Sequence, residues 1–346
     1  MTRFRRLILI FGLTAAATVL VAGCGGDDDD TGSADTGAPP TATAPATQAG
    51  AAPSPTATPA SAFPVTIQHE GRSVTIKERP KRIVALSHDV ADIALRLAGP
   101  ERVAALPASN GTPSLAAGAA MAGSVATKLP PGTNPEPEQI LSLKPDLVLI
   151  TTRHGGEQDA AKLLEQVNVP LLIFAHWGKP EEIAENVRVI GKAVGEVEKA
   201  EQLVKEMEAG MERVKKALAG VQTKPRVVAF SDQANRPFLI GKSGGGITPA
   251  LIAMAGGELV ADQGGPAQTE RVVALNPDVI VIIDVWGKGL ENYRSILDAP
   301  AVQALPAVKN NRIIVLPAWQ AFLPTDQVWV GLEALAKALH PEAFRS

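Results

Sequence analysis

Residues 138–150 read EQILSLKPDLVLI and residues 270–282 read ERVVALNPDVIVI, with the glutamate, the proline and the aspartate at the same separations in both stretches. Each stretch predicts a short helix that ends before the proline, because proline disfavours helical backbone at its predecessor. The apolar run after each aspartate is typical of a strand buried on both faces of a parallel sheet. The same helix–strand unit therefore occurs twice, which predicts two similar α/β lobes.

Two further pairs of apolar runs support this duplication. Residues 82–87 (RIVALS) have a counterpart in residues 226–231 (RVVAFS). Residues 171–174 (LLIF) likewise have a counterpart in residues 313–316 (IIVL). We therefore predict an α/β protein with two Rossmann-like lobes, each built around buried parallel strands.

The region between the two copies predicts how the lobes are joined. Residues 196–219 place apolar side chains three and four positions apart, with charged residues elsewhere, as in an amphipathic helix. We expect one long, rigid helix there, joining an N-terminal lobe at residues 63–195 to a C-terminal lobe at residues 220–346, with the ligand cleft between the lobes. The same periodicity would also suit a surface helix of one lobe.

The start of the chain predicts export and lipid anchoring. A basic opening followed by an apolar run too short for a membrane span indicates a signal peptide over residues 1–23. The motif VAGC at residues 21–24 resembles the lipobox of bacterial lipoproteins, which predicts acylation of Cys24. Residues 24–62 are rich in Asp, Ala, Thr, Pro and Ser, which predicts a disordered linker. We expect an extracytoplasmic protein anchored to the cell membrane.

Composition narrows the function classes. Cys24 is the only cysteine, which excludes an internal disulfide, a cysteine metal cage and a cysteine nucleophile in the folded part. The formal net charge of -3 argues against a nucleic-acid partner. We expect a monomer that needs no cofactor.

Taken together, the lipobox, the opening PKRIVAL at residues 80–86, both repeat units and the long helix resemble the class III periplasmic-binding-protein family of ABC importers. These substrate-binding lipoproteins carry ferric siderophores, haem or vitamin B12. The resemblance covers about residues 65–344. It implies two Rossmann-like lobes on a rigid helical backbone, with a shallow cleft between them.

The resemblance also implies a docking device. Each lobe of such a protein carries a glutamate that contacts arginines of the ABC permease dimer, and Glu138 and Glu270 match those positions. Either glutamate could instead be an exposed residue at a helix start, which the helix dipole favours. The glutamate stands at the same distance before the proline in both lobes. This repetition favours docking, since carboxylates facing arginines are a usual recognition device.

The ligand site is predicted at one edge of each sheet. Ligands of parallel α/β sheets lie beyond the carboxyl ends of the strands. Tryptophan offers a wide, rigid contact surface, and arginine can meet carboxylate or catecholate oxygens. Any one of these residues could be structural, so the cluster carries the prediction. The candidate ligand-binding residues in the loops after the strands are His88, Asp89, Arg153, His154, His176, Trp177, Asp232, Arg236, Trp286 and Trp319.

The expected ligand follows from positions where this sequence differs from the haem and cobalamin carriers of the family. Haem carriers of this class commonly offer a tyrosine after a first-lobe strand, but residues 107–112 read PASNGT and the only tyrosine is Tyr293. The tryptophans that flank cobalamin find no match in residues 130–137 or 263–269. A metal chelate, and specifically a ferric siderophore, is therefore the expected ligand by elimination, with a haem or cobalamin carrier as the alternative.

A second alternative is a carrier of free zinc or manganese. Such carriers use histidines with a carboxylate, and His88, His154 and His176 all map to first-lobe loops. No histidine lies in the second-lobe loops, so Asp232 or Asp284 would have to complete the site.

A remote alternative is a secreted serine hydrolase. Residues 241–245 (GKSGG) match the nucleophile-elbow pattern between a strand and a helix. His340 follows near the chain end, and no convincing acid partner precedes it. A glycine-rich turn explains the motif equally well, and we expect no enzyme.

Overall fold

The computed structural model describes residues 63–130, 135–232, 236–244 and 246–345. The predicted signal peptide, Cys24 and the linker lie outside these residues. Within these ranges, no helix is both long enough and apolar enough to cross a membrane.

The first lobe is a parallel sheet flanked by helices. A hairpin precedes it, formed by β1 (Val65–His69) and β2 (Arg72–Ile76). The strands are β3 (Ile83–Ala85), β4 (Val103–Pro107), β5 (Thr127–Leu129), β6 (Leu147–Thr151) and β7 (Leu171–Phe174), in the order β5-β4-β3-β6-β7. The helices are α1 (His88–Ala98), α2 (Ala119–Gly123), α3 (Pro137–Ser142), α4 (Gly155–Leu164) and α5 (Pro180–Val194).

The second lobe follows α6 (Val197–Ala217). Its strands are β8 (Arg226–Ser231), β9 (Phe238–Leu239), β10 (Glu258–Leu259), β11 (Gly265–Pro266), β12 (Val279–Asp284) and β13 (Ile313–Pro317). They lie in the order β11-β9-β8-β12-β13, with β10 also beside β8. The helices are α7 (Thr248–Met254), α8 (Thr269–Leu275), α9 (Arg294–Leu297), α10 (Pro300–Gln303), α11 (Pro306–Lys309), α12 (Ala318–Ala321) and α13 (Val328–Leu339).

The predicted duplication is confirmed at the level of topology. β3, β6 and β7 lie side by side and parallel in the first sheet, and β8, β12 and β13 do so in the second. Every residue of β6 is buried, as is every residue of β12 except Asp284. The second sheet differs in its antiparallel strands β9 and β11, each of two residues, which are too short to leave a sequence pattern.

Local sequence signals set several helix ends. Proline occupies the first helical position of α3 and of α5, where its missing N–H costs nothing. α5 ends at Gly195, whose φ of 75° is a left-handed conformation that glycine adopts without a steric penalty.

The long helix α6 contacts both lobes. It spans 21 residues and packs against α5 of the first lobe and α13 of the second. The contact with α13 is close, because a Cβ atom on Gly210 would lie 2.6 Å from ring atoms of Trp329. A helix that packs on both lobes is expected to limit their relative motion, and its rigidity stays a prediction.

Candidate functional site

A buried polar network joins the loops after β3 and β6. Ser87 Oγ donates to Glu157 Oε1 at 2.6 Å, and the Thr151 amide donates to Ser87 Oγ at 2.9 Å. Thr151 Oγ1 lies 2.9 Å from Glu157 Oε1, and His154 Nδ1 lies 3.0 Å from Glu157 Oε2. Burial would raise the pKa of the Glu157 carboxyl, but the hydrogen bonds from His154, Ser87 and Thr151 outweigh it and lower that pKa. An ionised Glu157 thus ties the two loops together.

His88 is the first residue of α1 and is held at both ring nitrogens. Nε2 lies 3.2 Å from the Leu115 carbonyl oxygen, and Nδ1 lies 3.2 Å from Ser109 Oγ. Burial lowers the pKa of His88 to about 4, so the ring is neutral at pH 7. The neutral ring donates from Nε2–H to Leu115 and accepts from Ser109. Metal coordination by His88 would therefore have to replace one of these hydrogen bonds.

Asp89 and Arg153 form an ion pair beside His88. Asp89 is fully buried, and Arg153 Nη2 donates to its Oδ2. Burial raises the pKa of Asp89, which Arg153 opposes. Arg153 keeps 26% of its side chain exposed. Within the described residues, Asp89 Oδ1 and Arg153 Nε have no hydrogen-bond partner, and such unpaired buried groups are uncommon enough to mark a candidate site.

In the second lobe, a buried aspartate supports an exposed tryptophan. Asp232 Oδ1 accepts from the Val285 amide at 3.1 Å, and Oδ2 accepts from Asn292 Nδ2 at 2.8 Å. Trp286 Nε1 donates to the Asp232 carbonyl oxygen at 3.1 Å, while 42% of Trp286 stays exposed. Asp232 thus fixes the loop, and Trp286 offers the accessible surface.

The loop after β4 crosses from the first lobe to the second. Ser114 Oγ donates to the Val285 carbonyl oxygen at 2.7 Å, and the Trp319 amide lies 3.3 Å from the Ser114 carbonyl oxygen. A groove of about 570 Å³ lies alongside, between this loop and the second lobe. Its lining includes Pro113, Ala116, Ala117, Ala120, Trp319 and Gln327.

Three of the remaining predicted residues lie elsewhere. Trp177 belongs to the core, with 3% exposed and its Nε1 donating to the Phe174 carbonyl oxygen at 3.3 Å, so it offers no open face to a ligand. His176 is exposed, and its Nδ1 lies 3.3 Å from Glu70 Oε1 in the turn of the β1–β2 hairpin. Arg236 is exposed in the loop after β8.

The structure thus brings together two groups of predicted residues. His88, Asp89 and Arg153 form one group, with His154 joined to the network beside it through Glu157. Trp286 and Trp319 form the other, connected through Ser114 and Val285. Within the described ranges, no group of three or more His, Cys, Asp or Glu residues could hold a metal ion. The zinc or manganese alternative therefore finds no ready site in that part of the chain.

Several supporting residues were missed in the sequence. Glu157 stands three positions after His154, a spacing that the capping-box pattern could have indicated. Ser114 and Asn110 lie in a loop without a periodic pattern. Asn110 is buried, and its Nδ2 donates to the His88 carbonyl oxygen at 3.0 Å, a contact that depends on tertiary structure.

The two predicted docking glutamates lie on corresponding short helices. Glu138 is in the first turn of α3 and Glu270 is in the first turn of α8, and both are exposed. Each helix buries a single residue, two positions after the glutamate: Ile140 in α3 and Val272 in α8.

A family model described as periplasmic binding protein matches residues 83–319, from the first strand of the first sheet to Trp319. The chain belongs to the periplasmic binding protein family. The matched segment includes both sheets and every ligand-binding candidate named above.

Relatives of this periplasmic binding protein include YvrC of Bacillus subtilis, an uncharacterized ABC transporter substrate-binding lipoprotein. YvrC is 26% identical over 343 residues, which cover 97% of this chain and 98% of YvrC. The ferric-anguibactin-binding protein FatB of Vibrio anguillarum is 25% identical over 271 residues, covering 74% of this chain and 80% of FatB. The apo structure of the periplasmic heme-binding protein RhuT from Roseiflexus sp. RS-1 aligns with a TM-score of 0.63 and 24% identity, covering 76% of this chain and 99% of RhuT. The likeness to RhuT supports only the two-lobed fold.

Membership of this family assigns the chain as an ABC transporter substrate-binding protein, which binds a small solute for a permease. The prediction that it is not an enzyme is confirmed by the family, whose members bind solutes. The serine-hydrolase alternative is therefore wrong, and the exposed Ser243 belongs to a glycine-rich turn.

Proposed function

We propose that this periplasmic binding protein is anchored to the cell membrane through acylated Cys24 and carries an anionic metal chelate, a ferric siderophore, to an ABC permease. The ligand would lie between the His88–Asp89–Arg153 group of the first lobe and the Trp286–Trp319 group of the second.

The observation that carries the proposal is the setting of Arg153. Its Nη2 is fixed on the buried carboxylate of Asp89, and 26% of the Arg153 side chain stays exposed. A cation held in advance by a buried partner loses little conformational freedom when an anion binds, which improves affinity. Its flat, multidentate donor edge suits catecholate and carboxylate oxygens.

The surroundings of Arg153 favour a preformed chelate over a bare ion. His88 is neutral and hydrogen-bonded at both ring nitrogens, so neither nitrogen is free to bind a metal ion. Trp286 is exposed and anchored through its indole N–H, so it can stack on a planar chelator ring. The chelate brings its own metal ligands, which fits the described residues, where no group of three metal-binding side chains occurs.

Delivery would use Glu138 and Glu270. Both carboxylates are exposed at the starts of matching helices, where they can meet arginines of a permease dimer. Lipid anchoring is supported by the lipobox and by the likeness to the YvrC lipoprotein, which extends over 97% of the chain. Cys24→Ser should release the protein from the membrane fraction, whereas an intact Cys24 should incorporate labelled fatty acid.

A ligand panel tests the substrate class. Purified protein is titrated with a ferric tris-catecholate, a ferric tris-hydroxamate, haemin, cyanocobalamin and zinc chloride, with tryptophan fluorescence as the readout. We expect saturable quenching by a ferric chelate, and a reduced quench in Trp286→Phe. Saturable binding of haemin, cobalamin or zinc without binding of either ferric chelate would overturn the proposal.

A further inference from the structure

The helices that carry Glu138 and Glu270 are short and only lightly buried. α3 has six residues and α8 has seven, and each buries one side chain. By contrast, α5 buries eight residues and α13 buries six. Partly buried apolar side chains, Leu141 and Leu143 in the first lobe and Val273 and Leu275 in the second, add to this packing. A contact at the end of each short helix would further fix the direction of its glutamate.

That contact comes from an arginine at the start of the first strand in each lobe. In the first lobe, Arg82 Nη2 donates to the Leu143 carbonyl oxygen at 2.6 Å, and its Nε lies 3.2 Å from the Lys144 carbonyl oxygen. In the second, Arg226 Nη2 donates to the Leu275 carbonyl oxygen at 2.9 Å, and its Nε lies 3.3 Å from the Asn276 carbonyl oxygen. Each arginine thus satisfies carbonyls at a helix end that have no partner within the helix.

The backbone at each helix end is shaped to receive the arginine. Lys144 has a φ of 50° and Asn276 a φ of 41°, left-handed conformations that end the helix. Two residues later, an aspartate accepts a hydrogen bond from the backbone at the start of the strand. Asp146 Oδ1 accepts from the Arg82 amide and Asp278 Oδ2 accepts from the Arg226 amide, both at 2.9 Å. The reciprocal contact, arginine to helix end and aspartate to strand start, occurs in both lobes.

We propose that Arg82 and Arg226 are positioning residues for permease docking, because they fix the orientation of the helices that present Glu138 and Glu270. This inference rests on the proposed function of those two glutamates. Arginine is needed for its geometry, since its fork reaches two carbonyls at once, whereas lysine offers a single point charge. Loss of either arginine would let its helix leave the docking orientation while the ligand groups stay in place.

The test measures binding of labelled protein to right-side-out membrane vesicles of the native host, in a Cys24→Ser background so that acyl insertion does not contribute. If the docking orientation falls to about one tenth of the population, apparent affinity falls about tenfold. We expect this loss for Arg82→Ala and for Arg226→Ala, and a similar loss for Arg82→Lys. Hydrogen exchange at the α3 amides should accelerate in Arg82→Ala.

Two controls separate positioning from charge and from general stability. Lys81→Ala removes the neighbouring exposed charge and leaves the contact of Arg82 with α3 in place. Arg312→Ala removes a similar arginine contact with the end of α13, whose larger buried face holds it. Both should keep wild-type affinity for the vesicles. If Arg82→Ala and Arg226→Ala behave like Lys81→Ala, the inference is overturned. If Glu138→Gln with Glu270→Gln also binds like the wild type, it is the docking assignment itself that fails.

Discussion

Arg153 donates a hydrogen bond from Nη2 to Oδ2 of Asp89, joining the loop after β6 to the first turn of α1. The Asp89 side chain is fully buried, whereas 26% of the Arg153 side chain is exposed. The pair is therefore asymmetric. Asp89 has Arg153 as its only cation within 4 Å among the described residues, whereas the Arg153 side chain remains in contact with solvent, from which an anion can approach.

This asymmetry predicts that stability and ligand binding can be separated by mutation. Arg153→Gln should destabilise the protein by about 3 kcal/mol, because it leaves a buried carboxylate without its cation. Combining it with Asp89→Asn should recover much of that stability, because both groups are then neutral. Affinity for a ferric chelate should stay low in both variants. Urea denaturation and chelate titration measure the two effects.

A matched control is Arg188→Gln, which removes an exposed arginine paired with the exposed Glu201 on α6. Exposed pairs contribute little, so its stability should change by less than about 1 kcal/mol and its chelate affinity should not change. Recovery of both stability and affinity in the Asp89→Asn, Arg153→Gln double variant would mean that Arg153 has a structural role alone.

The duplication was predictable because its signals are local. A glutamate at a helix start, a proline that ends the helix and a buried strand all lie within residues 138–150, and again within residues 270–282. The same holds for the amphipathic pattern of α6. His88 and Arg153 could also be placed near one another, because the carboxyl ends of parallel strands share one edge of a sheet.

Trp177 and Ser114 show where the sequence is insufficient. Trp177 follows a strand, as a residue of the ligand cleft would. It nevertheless packs on Phe174, and Phe174 contacts His69 of the hairpin, which lies more than a hundred residues earlier in the chain. Ser114 lies in a first-lobe loop but donates a hydrogen bond to the carbonyl oxygen of Val285 in the second lobe. Such long-range contacts decide whether a loop side chain packs in the core or faces the ligand site. They cannot be predicted from a local sequence pattern.

His88 predicts a pH-dependent contribution to stability. Burial lowers its pKa from 6.5 to about 4. Between these values the unfolded chain binds more protons than the folded chain, so stability rises with pH across about 4 to 6.5. A pKa change of this size corresponds to a change of about 3 kcal/mol in the free energy of unfolding across this pH range. Compared with the wild type, His88→Gln should lose this rise in urea denaturation across that window.

Asp92 predicts the opposite dependence. Burial raises its pKa from 3.8 to about 6, with Asp326 adding to the effect and the Gly118 amide and Arg96 opposing it. The folded chain then binds more protons between about 4 and 6, so stability falls as pH rises. Asp92→Asn should therefore gain stability relative to the wild type from pH 4 to pH 6. A constant difference from the wild type across this window would contradict the prediction.

The close contact between α6 and α13 predicts a steric effect at Gly210. A Cβ atom there would lie 2.6 Å from ring atoms of Trp329, so Gly210→Ala must displace the Trp329 ring or α13 with it. We expect a loss of about 1 to 3 kcal/mol in the free energy of unfolding. Gly220→Ala is the matched control, because no atom lies within 4 Å of its added Cβ. Equal thermal stability of the two variants would count against this packing.

The docking proposal predicts a transport defect without a binding defect. Glu138→Lys with Glu270→Lys should abolish uptake of the ligand by whole cells, because like charges then face the permease arginines. Ligand affinity of the purified double variant should equal that of the wild type. Uptake at the wild-type rate would remove the two glutamates from docking.

We propose an anionic ferric chelate as the cargo of this protein, and analysis of the ligand that it retains in its native host tests this. The membrane-anchored protein is isolated gently, and the released ligand is analysed by mass spectrometry together with iron quantification. We expect one iron per occupied chain, within an organic chelator, and loss of both the iron and the chelator in Arg153→Gln. Haem, cobalamin or a bare divalent metal in place of the chelate would contradict it.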